Sequence, residues 1–310
     1  MTSKAVIVTG ATGFIGSWLV KSLLKKEYKV AVITRKESSL ERLSNHKNII
    51  LVPGNLNDVS GWYKQLSNLD LNFRCFFHLA WDGVSNLERN SIQQMNNVLY
   101  SLETLRLAKS LNCTKWIGTG SQAEYGPLNK KIKETDVAHP TTMYGVAKLA
   151  TCNSSQILAR EIGIEAVWVR VFSTYGPYDN SGWLLTDTIK TMLDNKTPAL
   201  TLGEQLWDYL YVEDAAEALV NLSESNTASG VYNLGSGQSL PIRSIMEQAR
   251  NLINPNLSLG FGQIPYRQDQ VMHLEADIER ITKDTSWRPR TELRVGLGNL
   301  INSLKKDNWS

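Results

Sequence analysis

Apolar residues run unbroken through Ala5-Val6-Ile7-Val8, stop at a turn spaced by Gly10, Gly13 and Gly16, and return at helical spacing as Leu19, Val20, Leu23 and Leu24. This pattern predicts a buried strand over 4–9, a glycine turn, and a helix starting at once. Further apolar runs bounded by turn residues predict strands at 30–34, 49–53, 75–80, 116–118 and 165–172. Amphipathic stretches between them predict helices at 39–43, 59–66, 92–111 and 142–162. Strands that are apolar on both faces and alternate with helices predict a doubly wound parallel sheet covered on both sides. After about Tyr175 the rhythm breaks, with denser glycine, proline and tryptophan and shorter elements. The expected α/β architecture is a dinucleotide-binding domain over 1–174 and about 207–240, with the chain crossing back around 209–222. A smaller C-terminal α/β lobe takes about 175–206 and 241–310.

Composition adds mainly exclusions. A chain of 310 residues is long for one core, which fits two lobes. A net charge of +3 is too small to imply a nucleic-acid partner, and the cluster Lys130, Lys131, Lys133 reads as a solvated loop. Cys75, Cys113 and Cys152 are odd in number and widely spaced, so they suggest neither a disulfide framework nor a metal site. Their usage suits a reducing cytoplasm. The opening Met-Thr-Ser-Lys leads only into a short strand, so no signal peptide and no membrane association are expected.

The candidate chemistry starts at the glycine turn. Its spacing is G-x-x-G-x-x-G, and a strand running into such a turn at a helix N-terminus makes a phosphate site. Glycine admits close approach of a pyrophosphate, while unpaired N–H groups and the helix dipole favour the anion. Gly16 is expected to let the helix pack tightly. Downstream, Pro140 blocks helix propagation and Thr141 or Thr142 can cap a new helix, which puts Tyr144 and Lys148 four apart on one face. A tyrosine with its ordinary pKa of about 10 is a poor acid or base near neutrality. A neighbouring ammonium is expected to stabilise the phenolate and lower that value. Ser121, in the loop after the 116–118 strand, lies where a doubly wound sheet binds ligands, at the carboxyl ends of its strands. Beyond the second strand, Thr34 is followed by Arg35 and Lys36 rather than by a carboxylate. Two cations there suit a 2′-phosphate, so NADP(H) is preferred and NAD(H) is the other option. Trp81, Trp183 and Trp207 could stack on a base or sugar ring, and Asp214 reads as a helix cap.

Taken together, these motifs resemble the extended short-chain dehydrogenase/reductases that act on nucleotide sugars. The resemblance is carried by residues 9–16, His78-Leu79-Ala80, Asn97-Val98, 121–126, 144–148, 169–172, Tyr175-Gly176-Pro177, 208–214 and Trp287-Arg288-Pro289. It implies a Rossmann lobe, a nucleotide-sugar lobe, and Ser121, Tyr144 and Lys148 as the catalytic set. It also implies cofactor contacts at Gly10, Thr12, Gly13, Phe14, Ile15, Gly16, Asn55, Leu56, Leu79, Ala80 and Asn97, besides Tyr144 and Lys148. Asn97 falls where the family orders the active-site backbone. Substrate contacts fall at Trp81, Ser121, Gln122, Tyr144, Ser173, Trp183, Trp207, Arg243 and Arg267. Arg267 lies at a diphosphate-binding position, whereas Trp207 replaces the second arginine and Arg243 is the candidate to compensate.

Departures from the family pattern narrow the reaction. Gln122 and Ala123 stand where the dehydratases carry an Asp-Glu pair, with Glu124 displaced by one, and Ala123 stands where the fucose-type epimerase-reductases carry a cysteine. What remains is hydride chemistry at one carbon. The resemblance points to NADPH-dependent 4-keto reduction of a dTDP- or CDP-linked 4-keto-6-deoxyhexose for surface polysaccharide. A 4-epimerase like those acting on UDP-glucose is the alternative, and a non-catalytic dinucleotide sensor is the second. The family also implies a homodimer through the helices at 92–111 and 142–162.

Overall fold

The computed structural model describes residues 4–307 except 44, 86, 268 and 269. The first half holds β1 (Ala5–Thr9), α1 (Phe14–Lys25), β2 (Lys29–Thr34), β3 (Ile49–Pro53), α2 (Ser60–Ser67), β4 (Phe73–His78) and α3 (Asn96–Ser110). It continues with β5 (Lys115–Ser121), β6 (Lys130–Ile132), α4 (Met143–Ile162), β7 (Glu165–Val171) and β8 (Ser173–Tyr175). Then follow α5 (Leu184–Leu193), β9 (Ala199–Leu200), β10 (Leu206–Trp207), β11 (Tyr209–Tyr211), α6 (Val212–Glu224) and β12 (Gly230–Leu234). The C-terminal part is β13 (Leu240–Pro241), α7 (Ile242–Ile253), β14 (Gly260–Phe261), β15 (His273–Ala276), α8 (Glu279–Thr285) and α9 (Leu293–Asp307).

Seven strands form one sheet in the order β12-β7-β5-β4-β1-β2-β3, and every neighbouring pair in it is parallel. This is a Rossmann-type doubly wound sheet. Its strand order reverses between β1 and β4, so a crevice opens outside their carboxyl ends, at the glycine turn. The apolar strand residues divide between two cores because successive side chains face opposite ways. Val6, Val8, Val30 and Val32 meet α1 and α6 on one face, and Ile7, Ala31 and Phe76 meet α2, α3 and α4 on the other. A third core joins Leu185 and Ile189 of α5, Ile245 and Met246 of α7, and Leu297 and Leu300 of α9.

Several elements differ from the pattern read in the sequence. The helix expected at 39–43 does not form; the segment closes a turn bond from Leu43 N to Leu40 O, and Glu41 N donates to the Ser39 hydroxyl. Five residues cannot offset helix nucleation without a packed face. The basic cluster is solvated as expected but is not a loop: Lys130 and Lys131 lie in β6, which pairs with β15, and keep exposed side chains. Their cations reach Asp136 and Glu275, while Lys133 reaches Asp277. Crossovers between the lobes also exceed the division read from the sequence. Ile281 and Trp287, from the C-terminal range, are buried in the core between the sheet and α1 and α6. Among the described residues, no helix is long and apolar enough to cross a membrane.

Candidate active site

Gly10 has φ +71°, and a Cβ there would sit 2.7 Å from the Ala80 nitrogen. A Cβ at Gly16 would run into the Gly10 carbonyl oxygen, so the tight approach expected of Gly16 is made against the turn itself. Helix α1 opens at Phe14 with Gly13 as N-cap and no side-chain cap. Its first-turn N–H groups, those of Phe14, Ile15 and Gly16, thus have no side-chain acceptor, which suits a phosphate. Leu79 N donates to the Thr9 carbonyl, and Ala80 N reaches the Thr9 hydroxyl at 3.3 Å. Arg35, Asn55, Trp81 and Tyr100 line an adjoining cleft of about 530 Å³, with Asp82 and Glu88. Lys36 is not among the residues that line this cleft, and Leu56 is buried. A dinucleotide fits this arrangement: the turn for its diphosphate and the cleft at Arg35 for its adenosine end.

Thr142 caps α4 by accepting from Gly145 N at 3.1 Å. The preceding loop completes the cap: Tyr144 N donates to Arg89 O at 2.8 Å and Met143 N to Asn90 Oδ1 at 3.2 Å. Tyr144 and Lys148 thereby point toward the end of β5. The Ser121 hydroxyl accepts from Ala123 N at 3.2 Å, and it lies near enough to Tyr144 to favour that residue's phenolate. Buried Lys148 donates to the Thr119 carbonyl at 2.6 Å, and its ammonium lies 3.6 Å from the centre of the Trp81 ring. Trp81 is itself fixed: its indole N–H donates to buried Gln94 at 2.7 Å. Gln94 in turn donates to the Gly83 and Glu88 carbonyls. Asn97 accepts from Asp82 N at 2.9 Å and donates to Asp82 O at 3.0 Å, tying down the same loop.

The electrostatics depart from the simple tyrosine–ammonium picture. Burial pushes the Tyr144 hydroxyl up; Ser121 and the Arg89 guanidinium pull it back, and Glu124 adds to the rise. Arg89 sits 4.8 Å from the ring centre. The Lys148 amine is pushed down by burial to about 7, with Glu124 opposing. So the expectation that Lys148 lowers the phenol is corrected. Its amine is engaged by Thr119 and Trp81, and the loss of water around the phenol dominates.

Glu124, next to the dehydratase positions, is fully buried. It accepts from Ser121 N, from the Trp168 indole and from Arg170 at 2.7–2.9 Å. Facing the interior, it has no access to a substrate. Gln122 lies half-exposed in the short turn after Ser121. Trp207 donates from its indole to Ser173 at 2.7 Å, bringing those two residues together. Arg243 is stacked on Phe261, 3.9 Å from the ring centre, and donates to the Leu202 carbonyl. Arg267 and Trp183 are exposed. Asp214 is not the cap of α6, where Tyr211 holds that position without a side-chain bond. Its carboxylate instead accepts from Thr291 N, and its carbonyl accepts from the Trp287 indole, anchoring the C-terminal segment.

Four residues of this region were not singled out from the sequence. Arg89 sits in a loop without a motif, and Gln94 lies in the short 3-10 turn Ile92–Met95, inside the stretch read as helix. Arg42 reaches the Thr12 carbonyl and Asn180, across the lobes, from a stretch read as helix. Arg170 stood in a quoted motif, but only the fold shows its partner.

The model of the NAD dependent epimerase/dehydratase family matches residues 6–235. The chain is 22% identical over 312 residues to CDP-abequose synthase of Salmonella muenchen, covering 98% of this chain and 99% of that one. It is 25% identical over 331 residues to dTDP-4-dehydro-6-deoxyglucose reductase of Escherichia coli, covering 97% and 98%. Among solved structures it is similar to UDP-N-acetylglucosamine 4-epimerase from Methanobrevibacter ruminantium M1 in complex with UDP-N-acetylmuramic acid. That likeness has a TM-score of 0.88 at 25% identity and covers 99% of this chain and 100% of the other. With its glycine turn, doubly wound sheet and Ser-Tyr-Lys cluster, the chain belongs to the NAD dependent epimerase/dehydratase family of nucleotide-sugar-modifying enzymes.

Proposed function

We propose that this enzyme reduces the 4-keto group of a dTDP- or CDP-linked 4-keto-6-deoxyhexose, using NADPH. The observation that carries the reading is the isolation of Tyr144 beside Ser121. Gln122 and Ala123 bring no titratable group, and the nearby carboxylate of Glu124 is buried against Arg170. Proton transfer at a single oxygen is what such a site can do. Full-length matches to one CDP-abequose synthase and one dTDP-4-dehydro-6-deoxyglucose reductase support the reading. Arg35 in the cofactor cleft, with no acid at the end of β2, supports NADPH over NADH.

When bound, NADPH supplies the hydride. Tyr144, its hydroxyl raised by burial, keeps its proton at neutral pH, which is the state an acid needs. It hands that proton to the developing alkoxide while Ser121 donates a hydrogen bond to the same oxygen. Lys148 would hold the ribose hydroxyls, and Asn97 and Gln94 keep the loop beside it ordered. Tyr144→Phe should lower turnover about 10²–10⁴-fold with NADPH binding retained. Near-normal turnover by that variant, followed as NADPH absorbance with dTDP-4-keto-6-deoxyglucose, would overturn the assignment. The structural likeness to a 4-epimerase supports a second reading, NAD-dependent 4-epimerisation. Stoichiometric NAD retained through purification, with no net NADPH consumption, would favour it.

A further inference from the structure

Glu124 and Arg170 form an ion pair at 2.7 Å with side chains 0% and 5% exposed. Nothing in the proton transfer above uses them. Yet the pair reaches every element that carries a reacting group. Glu124 accepts from Ser121 N at 2.9 Å and closes a capping box with the Ser121 side chain, which fixes the turn at the end of β5. Its second partner, Trp168 of β7, lies with its ring centre 5.8 Å from the Lys148 ammonium. Arg170 lies over the Tyr125 ring at 4.4 Å, and its Nη2 is 4.0 Å from Cys152 Sγ, one turn beyond Lys148 on α4. Room for the carboxylate comes from Gly120, where a Cβ would collide with Glu124 Oε1 and with the Trp168 indole nitrogen.

Stability alone is a weak reason for such a pair. Burying two charges costs about as much as their attraction returns, and apolar side chains of similar volume often serve as well. We propose that the Glu124–Arg170 pair is a positioning device, holding the Ser121 backbone and setting, from behind, the charge environment of the Tyr144 hydroxyl and the Lys148 amine. The other charged or titratable groups facing these two are Arg89 over the Tyr144 ring and neutral His78 on β4, with Tyr125 and Cys152 beside Arg170. Among the described groups that act on these two, Glu124 alone is negative, and it favours the protonated form of both Tyr144 and Lys148. Removing its charge therefore lowers both proton affinities and narrows, from the basic side, the pH range in which the reducing form exists.

The proposal rests on the reductase reading for one of its two readouts. Glu124→Gln keeps an acceptor for Ser121 N and removes the charge. Because that variant leaves Arg170 buried without its partner, Glu124→Leu with Arg170→Met is made alongside it. With saturating NADPH and varied dTDP-4-keto-6-deoxyglucose, the basic limb of kcat/KM should move down by about one pH unit in both. A limb at the wild-type position, whatever the loss of rate, would reduce the pair to a structural role. If the wild-type protein does not turn this substrate over, the reductase reading fails and the pair is judged by thermal unfolding between pH 5.5 and 8. Glu124→Gln should then lose Tm against wild type progressively as pH falls below 7, because Lys148 in the variant has become harder to protonate. In a Lys148→Met background that progressive loss should vanish. A deficit independent of pH in both backgrounds would overturn the proposal.

Discussion

At the scale of single residues, burial does most to set the chemistry. Lys148 has its amine pushed down to about 7 in the fold, whereas an exposed lysine titrates near 10.4. Between those values the unfolded chain binds one proton more than the native one, so this residue makes stability rise with pH there and adds no slope below the window. Replacing it by methionine removes that slope. The unfolding free energy of the wild type, compared with Lys148→Met without cofactor, should climb between pH 7 and 9, with a limiting slope of about 1.4 kcal/mol per pH unit. A constant difference across that range would mean the amine titrates elsewhere. Arg35 is the second residue whose role is testable alone. Its guanidinium lines the cleft and, among the described residues, has only exposed Glu37 as a partner, 3.7 Å away. If it binds a 2′-phosphate, Arg35→Ala should weaken NADPH about ten- to a hundredfold, the equivalent of roughly 1.5–3 kcal/mol. NADH affinity should barely change. Calorimetry showing equal losses for both nucleotides would place the 2′-phosphate elsewhere.

At the scale of elements, α4 carries both Tyr144 and Lys148, and its first turn is held by one side chain of its own. Thr142→Ala should cost about 1 kcal/mol of stability by chemical denaturation. It should also cost more in turnover than in NADPH affinity, because Tyr144 lies two residues from the lost cap. An unchanged denaturation midpoint would show that Arg89 and Asn90 suffice. This helix was legible in advance because Pro140, the threonines and the apolar spacing all act locally. So were β1, β2 and β4, whose continuous apolar runs are buried on both faces. The end of β5 was not: the strand reads as ending at Gly118, with Gly120 in the loop, but it runs on to Ser121. Those glycines make room for Trp116, Trp168 and Glu124, partners that only the fold brings together. Strand β6 escaped notice for the same reason, since Lys131 on it and Lys133 just beyond it find their carboxylates on and just after distant β15.

At the scale of the molecule, α3 and α4 pack against each other beside the sheet, yet each keeps large apolar side chains in the open. Leu99 is 63% exposed and Ile157 59%, and Val146 adds to the α4 stripe. Two adjacent helices with apolar outer faces form the kind of surface that a two-fold copy covers isologously, each helix pair meeting its equivalent. The same helices carry Asn97, Tyr144 and Lys148 on their inner sides, so such an interface would brace the catalytic elements from behind. A homodimer of the 34.8 kDa chain is therefore the expected state in solution. Leu99→Asp combined with Ile157→Asp places four carboxylates in that interface and should yield a monomer by sedimentation velocity. Because both side chains are exposed within the single chain, the monomer should remain folded by circular dichroism, and its turnover should fall more than its NADPH affinity. A wild-type protein that sediments as a monomer at micromolar concentration would remove the interface. The ordering of α4 would then rest on Thr142, Asn90 and Arg89 alone.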